Sequence, residues 1–549
     1  MYKHWIRPLL VILLLLMAGL LFSTPNHLDV MTYMSGEFNG CEFGESIASL
    51  DFNGDGYMDL VVSSGSWNPE HIYNDQNLWG KLYFYWGGPD FDNIPDLVIP
   101  GAYNWQMGPY ASVFNAGDMN GDGIEDLIML QTSQYNEAIA AVYFGGQSPQ
   151  TNPNVVLTYP HPEISWILIV PVGDINGDNR ADVAIMERMY PTTTKVTLWM
   201  DYLTQPVFLF QSSNTWIPWL CGIGDVNNDG FSDCVLHMPN LPTGQTHNRL
   251  VLYYGSPTFP VTDSLVICED SNQIIKSWSC PLGDVNGDGY DDFVSWGGVN
   301  SYSQPMWLGG EDITATWSLE LSGVFNYLSH QLSEVGTGYP FIHGDLNGDG
   351  YQDVLSFKSN AGFYDGYTYL WMGGANMNAS MDYLRLGMEG YYAMNYGWSK
   401  ATGDFNADGY CDVAVGAPWW ASNDHNETGR VYILAGSPDL HETTTANEDD
   451  TSPTVNIDIW QIGIYPNPHA ATQGSLNIQF QGAGYQKANS LKLEIYNLRG
   501  QKLLSTSVPN SKLQEGEFTL ETGSREKGVY ILRVSQDGKP LTTQKFTLF

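Results

Sequence analysis

The sequence predicts an all-β protein: a seven-bladed β-propeller followed by a small C-terminal β-sandwich. Three observations carry that expectation. A nine-residue acidic motif recurs seven times between residues 51 and 412, and a fixed internal period marks a repeat architecture. Apolar runs flank each copy, and an aromatic strand ending in a turn follows it, as in the run from Leu82 to Gly88, which is the pattern of short strands joined by tight turns. Past residue 454 the composition changes, and Lys and Arg become common.

The motif reads Asp-x-Asn-x-Asp-Gly-x-x-Asp and stands at 51–59, 118–126, 174–182, 225–233, 284–292, 345–353 and 404–412, with Asn179 at the glycine position of the third copy. Spacings of 51 to 67 residues leave room for a four-stranded blade with its loops. Calcium takes about six to eight hard oxygen ligands, and a tight loop offers them from alternate positions. The expected side-chain ligands are Asp51, Asn53, Asp55 and Asp59; Asp118, Asn120, Asp122 and Asp126; Asp174, Asn176, Asp178 and Asp182; Asp225, Asn227, Asp229 and Asp233. The last three loops offer Asp284, Asn286, Asp288 and Asp292; Asp345, Asn347, Asp349 and Asp353; Asp404, Asn406, Asp408 and Asp412. Position seven adds a backbone carbonyl, from Tyr57, Ile124, Arg180, Phe231, Tyr290, Tyr351 and Tyr410. Position six must turn left-handed, which Gly does freely and Asn tolerates. Position twelve of the first loop is Val62, where an EF-hand needs Glu, so EF-hands are rejected.

Charge agrees with this reading. Of the 60 acids, 21 stand at positions one, five and nine of these loops, and the formal net charge is −38. Up to seven calcium ions, expected as structural cofactors, would relieve carboxylates that otherwise repel one another at close range. A polyanion excludes nucleic acid and anionic membrane surfaces as partners.

The fourth strand of each blade is legible in runs such as Asp96 to Ile99 and Ser264 to Ile267, but only six follow the seven loops. The missing one is expected at the N-terminus, where residues 28–34 should pair with 430–434 and close the ring. Phe43 and Gly44 before the first loop, with Gly416, Ala417 and Pro418 after the seventh, resemble the two halves of the FG-GAP repeat. That repeat builds the propeller of integrin α chains, and the VCBS-type repeats of secreted bacterial proteins are related to it. The resemblance covers about residues 28–438, although Phe-Gly and Gly-Ala-Pro are eroded in most middle blades.

Outside the propeller (24–438), residues 1–23 read as a signal peptide. Lys3 and Arg7 precede an apolar run from Leu9 to Phe22, shorter than the roughly 18 residues that span a bilayer, so no transmembrane segment is expected in the mature protein. Residues 439–454 form a polar, acidic linker. Residues 455–549 contain short alternating strands, among them the runs from Leu493 and Gly528, as in a small sandwich. This segment resembles the type A C-terminal sorting domain of the type IX secretion system. The resemblance implies the secretion machinery as a partner, and a secreted or outer-surface location in a Gram-negative bacterium. The six cysteines show no zinc spacing; Cys221 and Cys234, flanking one acidic loop, either bridge or remain buried thiols.

No nucleophile elbow, zinc-protease helix or phosphate-cradling loop is present, so an enzyme is not expected. The tryptophans Trp67, Trp105, Trp216, Trp296 and Trp398, with Trp419 and Trp420, fall before strand one or after strand two, at the blade end opposite the acidic loops. Such rings either pack between blades or stack on a ligand. The expected function is adhesion, or binding of an extracellular glycan or protein. The alternative is a polysaccharide-degrading enzyme, lyase-like, on the same calcium-stabilised frame.

Overall fold

A computed structural model describes most of residues 28–440 and the strands between 461 and 548; the segments left out are mainly connections, including 68–79, 102–112, 271–278, 322–340 and 387–395. The signal-peptide residues 1–23 and most of the linker lie outside the described residues. Every described regular element is a β-strand, and the chain divides into two compact units, Met1–Thr444 and Thr445–Phe549.

In the first unit the described strands form seven antiparallel sheets of four. The first sheet runs Phe43–Leu50, Asp59–Ser64, Lys81–Tyr85 and Leu97–Pro100, in that spatial order. The pattern repeats, because each acidic motif forms the tight connection from a first to a second strand. The first strand of each sheet lies beside the first strand of the next, and that of the seventh sheet, Lys400–Gly403, returns to Phe43–Leu50. This cyclic order is the one a propeller requires, and it leaves each sheet only a short outer edge strand.

Apolar side chains drive the arrangement by filling the space between neighbouring sheets. Among the described residues, seven buried clusters alternate with the seven sheets. Phe52, Val61, Leu82 and Phe84 of sheet one meet Val113, Leu127 and Met129 of sheet two. At the junction of sheets six and seven, Leu355 and Leu370 meet Val413, Val415 and Tyr432. Trp199, Trp307 and Trp371, near the ends of third strands, are among the largest fully buried side chains. With both faces covered, second strands are buried throughout, as in Asp412–Ala417, where an apolar run follows the loop aspartate.

The seventh sheet takes its fourth strand from the N-terminus. Val30–Ser35 pairs antiparallel with Arg430–Leu434, running from Val30 opposite Leu434 to Ser35 opposite Arg430. Arg430 stacks over Trp420 at 3.4 Å and over Tyr33 at 4.1 Å. Directly after this strand, Glu37 accepts hydrogen bonds from Lys81, Trp67 and Tyr83 of sheet one at 2.6, 2.9 and 2.9 Å. One short segment thus completes sheet seven and fastens it to sheet one.

The bridge considered for Cys221 and Cys234 is absent, and all six cysteines are free thiols. Cys221 sits opposite Val235 and Cys234 opposite Gly222. The two sulfurs therefore face different sides of one sheet and join different cores.

The second unit contains two sheets: Gln461–Tyr465, Ser475–Gln481 and Glu517–Glu521 in one, and Lys502–Pro509, Ser490–Asn497, Gly528–Gln536 and Lys539–Leu548 in the other. Ile478, Leu493, Ile495, Leu520 and Leu532 are among its buried residues.

Candidate metal loops and the opposite face

The seven acidic loops share one hydrogen-bond scheme. In the first, the Asp51 carboxylate accepts the amides of Gly54, Asp55 and Gly56 at 2.9, 3.1 and 2.9 Å. Asn53 Oδ1 accepts the Asp55 amide at 2.8 Å, and Asp55 Oδ1 accepts the Tyr57 amide at 2.9 Å. Side-chain oxygens at positions one, three and five therefore crowd one concave turn, as they do in the seventh loop, where Asp404 and Asp408 repeat the contacts. The turn is left-handed at position six in every copy, and Asn179 adopts φ 64° there, beside 88–91° for the glycines. Position four is left-handed too, which the motif did not signal, and Asn228 and Ala407 occupy it at φ 56° and 57°.

Position nine differs from the others because it is buried. Asp59 has no exposed surface; its Oδ2 accepts the Phe52 amide at 3.0 Å and its Oδ1 accepts the Gly87 amide at 2.8 Å. Asp126, Asp182, Asp233, Asp292, Asp353 and Asp412 are equally buried. Burial pushes Asp59 up to about 7 and Asp182 up to about 8. Among the described residues, no Lys or Arg pairs with any loop aspartate, and no three His, Cys, Asp or Glu side chains converge at metal-binding distance. The oxygens are turned onto backbone amides instead. The donor set still fits a hard divalent cation: all ligating atoms offered are oxygens, three of the groups are carboxylates, and one of those is buried without a countercharge.

Neighbouring loops are also tied together. The position-eight amides of Ala181, Ser232, Asp291, Gln352 and Cys411 donate to the position-one carbonyl of the preceding loop at 2.8–3.2 Å. In sheets two and five the position-eight acid adds a second link, Glu125 accepting the Asp51 amide and Asp291 the Asp225 amide. The position-seven side chain covers the preceding loop: a Cβ on Gly287 would strike Tyr351, and one on Gly348 would strike Tyr410.

The tryptophans expected at the far end of the strands fall into three groups. Trp105, Trp216 and Trp296 lie outside the described residues. Trp67 is only 8% exposed, with Lys81 stacked 4.4 Å from its ring centre and its indole nitrogen on Glu37, so its ring is engaged within the fold. Trp398 and Trp419 are half-buried and lie 5.8 Å apart at an interplanar angle of 33°. Among the residues missed by sequence reading are Glu37 and Arg430, because nothing local marks side chains that meet Lys81 and Tyr33 from so far along the chain.

The FG-GAP repeat model matches residues 43–79 and 396–434, and the secretion system C-terminal sorting domain model matches residues 463–548. The chain is similar to integrin alpha-PS2 of Drosophila melanogaster (29% identity over 216 residues, 37% of this chain and 14% of that protein). It is also similar to phosphatidylinositol-glycan-specific phospholipase D of Bos taurus (27% over 245 residues, 40% and 27%) and integrin alpha-5 of Xenopus laevis (28% over 172 residues, 29% and 15%). The chain thus spans less than a third of the length of each relative. It carries FG-GAP repeats and a type IX sorting domain, which indicates secretion to the exterior or outer surface of bacteria. The two FG-GAP matches fall on adjoining sheets, and the motif has a packing role there. Gly44, at φ 87°, presents its carbonyl to the Ser399 hydroxyl at 2.6 Å, and a Cβ on Gly416 would strike that same carbonyl.

Proposed function

We propose that the seven sheets are the blades of a seven-bladed, calcium-stabilised propeller spanning residues 24–438, which binds an extracellular glycan or protein ligand rather than turning over a substrate. Residues 455–549 are the sorting module, folded as a β-sandwich behind the 439–454 linker, and they serve export. Calcium is held by positions one, three, five and nine of each loop, with the position-seven carbonyl. Its role is to neutralise carboxylates that the fold brings together without a basic partner.

The observation that carries the ligand assignment is the Trp398–Trp419 pair. Seven loops built to one scheme occupy one end of the blades, and that uniformity leaves no place for selectivity. The connections at the other end differ in length and sequence from blade to blade, and variable loops on a repeated frame are where recognition usually resides. Two partly exposed indoles at this end offer flat apolar faces for a sugar ring or an aromatic anchor. The sequence adds Trp105, Trp216 and Trp296, which lie outside the described residues, as further candidate ligand contacts.

A glycan array with calcium-loaded mature propeller, run beside Trp398→Ala, tests the reading. Binding that falls in the variant supports it. Appearance of new reducing ends or unsaturated products from a bound polysaccharide would replace it with the lyase-like alternative.

A further inference from the structure

The first strands of the seven sheets enclose a cavity of about 430 Å³, and among the described residues Lys400 is the only Lys or Arg in its wall. The wall around it is largely apolar, with Ile47, Val113, Val172, Pro281 and Phe341 contributing. The Lys400 ammonium donates to the Gly397 carbonyl at 3.3 Å and stands 5.9 Å from the centre of the Phe357 ring. Among the described residues it has no carboxylate partner. Burial lowers its amine to about 8, yet the residue keeps intermediate exposure. Lys400 forms part of the cavity wall.

A cation drawn out of water is expensive unless something pairs with it. One long carbonyl contact and a distant ring do little to offset that cost. Two neutral groups in the same wall have spare capacity, since the Ser49 and Ser232 hydroxyls have no side-chain partner among the described residues. Asn115 does not, because its amide is committed to the Ser49 carbonyl and to Glu125.

We propose that this channel is a binding site for a small organic carboxylate, with the anionic end on the Lys400 ammonium and an apolar body against the surrounding wall. The charge argues for a monoanion, because one ammonium and neutral hydroxyls would leave a dianion undercompensated in a low-dielectric site. The wall argues for an organic body, since an inorganic ion would leave apolar surface without contacts. The cavity lies within the range of about 300–1,000 Å³ typical of small-molecule sites. Lys400 opens its strand and the acidic loop closes it, so the proposal stands independently of calcium.

Calorimetric titration of the full-length protein with benzoate and hexanoate, with benzyl alcohol as the neutral counterpart, tests it. The expected result is one saturable site for a carboxylate. Affinity should be weaker by about tenfold or more for benzyl alcohol and for Lys400→Met, as for loss of a charged hydrogen bond. Lys400→Arg should retain binding. Lys400→Met keeps the length of the side chain and removes a buried charge, and thermal unfolding establishes that it folds. Should it not fold, the benzoate to benzyl alcohol ratio in the unmodified protein decides the question. The proposal is overturned if neither carboxylate saturates, if benzyl alcohol binds as well as benzoate, if Lys400→Met binds undiminished, or if chloride at equal concentration displaces the carboxylate and so reveals a simple halide site.

Discussion

The Asp59 carboxylate accepts the Gly87 amide at 2.8 Å, so one buried acid fastens the acidic loop of sheet one to the end of its third strand. Asp126 and Gly145, Asp233 and Gly255, Asp292 and Gly309, Asp353 and Gly373, and Asp412 and Gly436 repeat the contact at 2.8–3.0 Å. The glycine is required because a Cβ on Gly87 would strike the Met58 carbonyl. Gly87→Ala should therefore destabilise by about 1–3 kcal/mol, the usual cost of a backbone shift at a tight approach. Urea unfolding of the single variant measures it, and an unchanged midpoint would show that the strand end adjusts freely.

The third sheet departs from this scheme. Residue 201 is Asp where the other six copies have Gly, and the Asp182 Oδ1 has no hydrogen-bond partner among the described residues. Its Oδ2 keeps the Ile175 amide at 3.0 Å, whereas Asp233 holds both the Val226 and Gly255 amides. In calcium-free protein Asp182→Ala should thus cost less than Asp233→Ala, by about 1–3 kcal/mol for the additional amide stranded in the second case. Paired unfolding curves in chelator provide the comparison. An equal or larger cost at Asp182 would contradict it.

The buried position-nine acids also fix a pH dependence. Their usual value is 3.8, and burial raises it to about 7 in six loops and about 8 at Asp182. An acid raised in the folded state favours folding most below its ordinary value, and that contribution is lost as pH rises through the folded value. Calcium-free protein should therefore lose thermal stability between about pH 4 and pH 8. Calcium holds the carboxylates ionised and competes with protons, so the stabilisation it adds should grow over the same interval. Melting temperatures measured with calcium and with chelator across this range test both slopes. A calcium increment that is flat with pH would refute the structural role given to position nine.

Closure of the ring depends on residues close in space and remote in sequence. Deleting residues 28–35 removes the partner of Arg430–Leu434 and uncovers an edge strand. Arg430→Ala keeps the strand but removes the cation that stacks on Tyr33 and Trp420. The deletion should lower the melting temperature strongly and promote association, and Arg430→Ala should lower it slightly. A deletion variant that stays monomeric with native stability would show that the strand is dispensable.

Sequence legibility followed how local each signal is. The acidic loops were readable because Asp, Asn and Gly at fixed offsets dictate one turn, and Asn179 at φ 64° behaves as its residue type allows. The closing strand was readable by bookkeeping, since six fourth strands for seven loops left one vacancy. Glu37 was not: an acid in a short turn looks ordinary until the fold sets Lys81, Trp67 and Tyr83 around it. Lys400 was hidden for the same reason, because a lysine at a strand start reads as solvated until seven strands enclose it. The cysteines show the reverse case, in which proximity in sequence suggested a bridge that strand register forbids.

Tryptophan position in the repeat is a weak guide to exposure, and two of these rings separate structure from recognition. Trp67 is buried, capped by Lys81 and hydrogen-bonded to Glu37. Trp67→Ala should cost about 3–5 kcal/mol, as for other large-to-small changes of a buried aromatic, and should loosen the junction of sheets seven and one through loss of the Glu37 contact. Trp398 and Trp419 are half-buried, with ring centroids 5.8 Å apart. Trp398→Ala or Trp419→Ala should leave the melting temperature within a few degrees of the unmodified protein and weaken ligand binding about tenfold or more, as expected for an aromatic anchor. Binding by either variant at unchanged affinity would move the recognition surface away from this pair. If Trp67→Ala lost binding while keeping full stability, the ring beneath Lys81 would have to turn outward to meet the ligand, and the junction would be a binding site in its own right.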